Sequence, residues 1–310
     1  KSNKNISYYF AYICMGIGFM IKGPIAIIIP ALVIFGFLII LRNWEELSRL
    51  RLGYGIIILA AIILPWFVTM LVIHGDEFKN HILGAELRDR IVHDTPFSLY
   101  YFGVIIRYYL PWSFFFIAAL AVRFQPVLVL LTSSPSTKSY FLFLFEKLKV
   151  WHNNITQKDN QAFVFSILWL MLPLILFTLF RIEHSRYMLP ASAPIAMITA
   201  QFFSQLTDSP NGFQGSTFKV SFYLALTFYF LIFTLTTIGT LFLFPHFSTP
   251  TGLVALSIFS LFGVVLLLIL YKLKKYSLLI IALSITQIIM LTSLSGESLS
   301  YFNRYPMKKF

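Results

Sequence analysis

Apolar residues run through this chain in long stretches separated by short polar segments, at about 6–21, 25–42, 54–74, 98–123, 162–180, 187–206, 219–244, 251–271 and 278–294. A bilayer core of about 30 Å takes roughly 20 apolar residues per helix, and fewer where the bilayer thins locally. The pattern therefore predicts an all-α polytopic membrane protein with about nine transmembrane helices, read as a single transmembrane domain over residues 1–310. Composition removes the soluble alternative: 58% hydrophobic residues, 34 Phe, 12% charged residues and a mean hydropathy of +0.80 leave too little polar surface for a water-soluble globule.

Charge orients the chain. With the N-terminus inside, Arg42, Arg49, Arg51, Arg123, Lys138, Lys147, Lys149, Lys158, Lys219, Lys272, Lys274 and Lys275 all fall on the cytoplasmic side, as the positive-inside rule favours. The same placement explains much of the formal charge of +12. A nucleic-acid partner is excluded for want of a soluble basic face to meet phosphates. The single cysteine, Cys14, lies in an apolar run, so neither a disulfide framework nor a thiolate metal site is available.

Two connections are longer than tethers need to be. The outward loop 75–97 holds five of the twelve acids (Asp76, Glu77, Glu86, Asp89, Asp94) with His81, His93, Arg88 and Arg90. Glu86 and Arg90 are four apart, and Ile82, Leu83 and Leu87 form an apolar stripe, so the spacing predicts a helix over 76–92 lying on the membrane. The inward loop 124–161 mixes "TSSPSTKS" with the apolar-basic "YFLFLFEKLKVW". His81, His93, Glu86 and Asp94 carry the right atoms for a divalent metal, but their spacing matches no metal-site motif, and no other cofactor is indicated.

Three outward stretches carry candidate chemistry: Lys22 in "MIKGP", the Tyr- and Trp-rich segment after the 75–97 loop, and "RIEHSRYMLP" with Arg181, Glu183, His184 and Arg186. Each has a plain alternative in a snorkelling lysine, an interfacial aromatic belt or a solvated turn. Together, Lys22, Arg88, Arg90, Arg181 and Arg186 place cations on the side where topology does not favour them. That distribution points to an anionic ligand at the interface, with a lipid phosphate the economical choice.

The stretches "GFMIKGPIAIIIPALVIF", "LPWFVTMLVIHGDEF", "GAELRDRIVHDTPFSLYYFGVIIRYYLPWS" and "SRYMLPASAPIAM" occur in an order that resembles the polyprenyl-phosphate-dependent membrane glycosyltransferases of the GT-C class. The likeness is nearest the 4-amino-4-deoxy-L-arabinose (lipid A) transferase and protein mannosyltransferase branch, and covers roughly residues 10–205. It implies a GT-C-like enzyme of the bacterial inner membrane whose active site faces the periplasm. Such an enzyme moves a sugar from a polyprenyl-phosphate donor to lipid A, another glycan or protein. By resemblance, Lys22, Arg90 and Arg186 bind the donor phosphate, supported by Glu86, Arg88, Arg181, His184 and Tyr187. The resemblance also implies a catalytic acid in an Asp-Glu motif, followed by a Lys-Pro-Pro turn, both expected upstream of Lys1 in a longer protein. The competing readings are a polytopic transporter or flippase, which would place ionisable residues near the midplane of its helices, and a non-catalytic remnant of a split gene.

Overall fold

The computed structural model describes residues 2–79, 99–132, 156–180, 184–209, 211–243 and 251–293. Within them the chain is helical, with no strand among the described residues. In lipid this is expected, because helices satisfy every backbone N–H and C=O locally where no water is available. The helices are α1 (Ser2–Lys22), α2 (Ile25–Leu41), α3 (Trp44–Arg49), α4 (Leu52–Lys79), α5 (Tyr100–Tyr108), α6 (Trp112–Thr132), α7 (Lys158–Leu179), α8 (Ser192–Asp208), α9 (Ser216–Ile238), α10 (Thr251–Lys272) and α11 (Tyr276–Ser293). A 3₁₀ segment, Ser185–Ala191, leads into α8.

A helix stands at each of the nine positions expected from hydropathy. Five described helices are long and apolar enough to cross a bilayer, or six if Tyr100–Tyr108 and Trp112–Gln125 form one broken span. Ile6–Lys22 and Ile25–Leu41 are shorter apolar helices. The chain is an integral membrane protein. Exposed apolar side chains such as Ile56, Ile57, Val72 and Ile73 along α4 would drive aggregation in water, and lipid accommodates them.

The described residues group into two compact units, 1–108 with 124–198 and 109–123 with 199–310. In the first, α1 packs on α4 and α2, α2 on α7, and α5 and α7 on the 3₁₀ segment. Its core includes Ile29, Val33 and Leu38 of α2, Tyr101, Val104 and Ile105 of α5, and Leu170, Leu174 and Phe177 of α7. The α1–α4 contact depends on a residue without a side chain. A Cβ at Gly55 would overlap the ring of Tyr12, whose hydroxyl donates to the Leu50 carbonyl at 2.8 Å.

α4 leaves helical geometry at Gly75 (φ 52°, ψ −122°) and resumes over the next four residues. This break falls where the span was expected to end and the interfacial helix to begin. Residues 80–98, which hold the rest of that expected helix, lie outside the described residues.

In the second unit α9, α10 and α11 pack in succession around Phe115, Phe218, Phe222, Tyr229, Leu267, Leu279 and Leu283, all nearly inaccessible. A short polar chain crosses this apolar interior: Tyr229 Oη donates to Gln287 Oε1 at 3.4 Å, and Gln287 Nε2 donates to the Leu110 carbonyl at 3.1 Å. Leu110 lies in the break between α5 and α6, where no helical partner is available for its oxygen. Gln287→Leu should therefore lower stability by about 1–2 kcal/mol, the cost of orphaning a carbonyl inside a membrane protein. A drop in the unfolding midpoint would show it, whereas an unchanged midpoint would mean that the bond contributes nothing.

Candidate functional site

Lys22 sits in the last turn of α1, where helix-end carbonyls favour a cation. The chain then reverses through Gly23, whose φ of 77° suits a residue without Cβ, and whose N–H donates to the Phe19 carbonyl at 2.7 Å. Pro24 opens α2 at once. A turn this tight cannot let Lys22 drift far from the ends of the two helices.

The second wall is the 3₁₀ segment. The Tyr187 N–H donates to the His184 carbonyl at 3.0 Å, and Met188 and Ala191 are buried, so side chains at 185–187 are directed by an anchored turn. Tyr101 of α5 acts as a strut beneath it: its ring is 2% exposed and lies 5.9 Å from that of Phe177, while its hydroxyl accepts the His184 N–H at 3.3 Å. The Tyr187 ring rests on Phe177, with centroids 5.0 Å apart, and on His184 at 5.8 Å. From the other side, Lys22 Nζ stands 5.0 Å from the Tyr187 centroid, within cation–π range.

Between these elements lies an open cavity of about 530 Å³ lined by Lys22, Tyr100, His184, Ser185, Arg186 and Tyr187. Its lining, among the described residues, contains an ammonium and a guanidinium and no carboxylate. Among the described residues, the ion pairs at ion-pairing distance are those of Arg49 with Glu45 and Glu46, so neither cavity cation is neutralised by a described carboxylate. Chemically, the arrangement suits an anion with a planar or apolar portion: the cations meet charge, Arg186 can offer a bidentate face, and the tyrosines offer ring surface.

The structure thus brings Lys22, His184, Arg186 and Tyr187 to one cavity from segments far apart in the sequence. Arg90, Glu86, Arg88 and Arg181 lie outside the described residues, as do His81, His93 and Asp94. Among the described residues no three His, Cys, Asp or Glu side chains group as a metal would need. Sequence reasoning did not single out Ser185, and read Tyr100 and Tyr101 alike as an interfacial belt. A signal separating the two was available: Tyr101, Val104 and Ile105 share one helical face, which points Tyr101 inward.

An undecaprenyl phosphate-alpha-4-amino-4-deoxy-L-arabinose arabinosyl transferase of Pseudomonas aeruginosa is 29% identical to this chain over 186 residues, 59% of this chain and 28% of the relative. A transferase of the same name from Serratia proteamaculans is 27% identical over 222 residues, 69% of this chain and 33% of the relative. The chain is a sequence relative of these arabinosyl transferases. It spans about a third or less of their lengths, and an uncharacterized protein of Aquifex aeolicus is 23% identical over 277 residues, 89% of this chain and 45% of that one. No family model and no solved structure matches. The likeness to arabinosyl transferases agrees with what the order of the four sequence stretches implied.

Proposed function

We propose that this chain forms the donor-binding part of a polyprenyl-phosphate-dependent glycosyltransferase of the bacterial inner membrane, with its cavity facing the periplasm. The observation that carries the reading is the meeting of Lys22 and Arg186 at one aromatic-walled cavity, in a chain related to enzymes named for an undecaprenyl phosphate-linked sugar. The phosphate of the carrier is the leaving group: an acceptor hydroxyl attacks the anomeric carbon, the carbon–oxygen bond to phosphate breaks, and the bonding pair leaves on the phosphate. Lys22 and Arg186 would hold the donor and stabilise the charge that gathers on the leaving oxygen, an effect strongest where water is sparse. Arg90 would join them, with Glu86, Arg88, Arg181 and His184 in support. The acceptor's proton would go to a carboxylate acting as general base. The acceptor would be lipid A, another glycan or protein.

The test is binding. The purified chain, titrated with undecaprenyl phosphate and separately with undecaprenol, should retain the phosphate form at least about tenfold more tightly, because only that form engages the cations. Equal retention of the two would defeat the reading.

A further inference from the structure

The other end of the α1–α4 pair carries a second cationic arrangement with no part in the proposed transfer. Arg51 is the single residue between Leu50, which caps α3, and the start of α4, and its φ is 50°. Its Nη1 donates to Tyr9 Oη at 2.7 Å. The guanidinium carbon lies 6.0 Å from the Tyr9 centroid and 5.9 Å from that of Tyr54, and the two rings meet edge-on at 6.2 Å. Two residues earlier, Arg49 is paired with Glu46 at 2.9 Å and Glu45 at 3.7 Å, whereas Arg51 has no described carboxylate at that range. The tyrosines therefore orient the Arg51 fork without neutralising it.

What surrounds Arg51 is ordered along the direction of α4. Tyr54, 60% exposed, stands beside it, and Ile57 and Leu64, 65% and 54% exposed, continue its face along the helix. Cation, aromatic ring and aliphatic side chain succeed one another as phosphate, interfacial region and acyl chain do in a leaflet. Tyr9 and Arg51 lie near the start of α1, and Lys22 closes it, so this face belongs to the leaflet opposite the cavity.

We propose that Arg51, held by Tyr9 and Tyr54, binds the phosphate of an anionic phospholipid in that leaflet, with the lipid's chains lying along Ile57 and Leu64. A guanidinium whose rotamer is already restrained loses less freedom on binding, and its planar fork meets two phosphate oxygens at once. Arg49, engaged by two carboxylates, contributes little.

Native mass spectrometry of the purified chain tests this, with equimolar palmitoyl-oleoyl phosphatidylglycerol and phosphatidylcholine, and with glycerol 3-phosphate as a phosphate lacking chains. The parent should retain phosphatidylglycerol in preference. Arg51→Gly removes the cation while suiting a φ of 50°, so the fold should survive, as helical circular dichroism would report; the preference should fall roughly fivefold or more. Arg51→Gln should lose it likewise, and Arg49→Gln should keep it within about twofold. A preference unchanged in both Arg51 variants overturns the site. Displacement of the lipid by glycerol 3-phosphate at matching concentration overturns its assignment to a lipid rather than a free phosphate.

Discussion

Lys22→Ala and Arg186→Ala are each expected to weaken undecaprenyl phosphate binding by about tenfold, and the double variant by more than either. Both side chains are exposed toward the cavity, so the lower end of the range for a charge-assisted bond applies, about 1.5 kcal/mol, which is roughly a factor of ten. Arg186→Lys should recover only part of the loss, since an ammonium cannot present a planar fork. The aromatic wall gives a finer test. Tyr187→Phe keeps the ring that lies between Phe177 and Lys22 and should bind as the parent does, while Tyr187→Leu removes that face and should weaken binding a few-fold. Fluorescence or calorimetric titration with the phosphate carrier reads all of these. Undiminished binding in both alanine variants would mean that the cavity is not the donor site.

Gly55→Val is expected to cost about 2–4 kcal/mol of stability. The added side chain would occupy space held by the Tyr12 ring, an overpacking cost of about 1–3 kcal/mol, and moving that ring breaks its bond to the Leu50 carbonyl, about 1 kcal/mol more. The Tyr12 ring is rigid, so the clash cannot be relieved by rotating a flexible end. A double-mutant cycle separates steric conflict from a general dislike of valine at this position. Tyr12→Ala empties the space, so Gly55→Val should cost much less in that background, and the coupling should exceed about 1 kcal/mol. Additive costs would show that the two residues do not oppose one another. Because α1 ends at Lys22, the single variant should also loosen the cavity lined by Lys22 and Arg186, which the carrier titration would register.

Hydropathy alone located helices at all nine expected positions, because a segment in lipid has almost no alternative to a helix once it is long and apolar enough. The irregular places were less legible. The stretch 98–123 is broken into α5 and α6 near Pro111, yet Pro30, Pro65 and Pro173 lie inside continuous helices. Proline marks where a backbone bond is missing. Whether the helix then breaks depends on partners elsewhere, and here Gln287, far along the chain, accepts the task of satisfying the Leu110 carbonyl. The stretch 187–206 likewise begins as a 3₁₀ turn rather than an α-helix, and that turn is what aims Arg186 and Tyr187 into the cavity.

The sequence by itself determined the membrane class and the approximate positions of the helices. These are properties of composition and local period, which act over a few turns of chain. Only the tertiary structure decided that Lys22 and Arg186 share a cavity, that Tyr100 lines it while its neighbour Tyr101 supports it from the core, and that Arg51 is fixed by two tyrosines while Arg49 is paired with two carboxylates. Each of these depends on side chains from separate helices coming within a few ångströms. Helical periodicity states which face of a helix is apolar, but in a bilayer an apolar face meets lipid as readily as another helix, so the choice of neighbour is made by shape, small residues and scattered hydrogen bonds that no single segment displays.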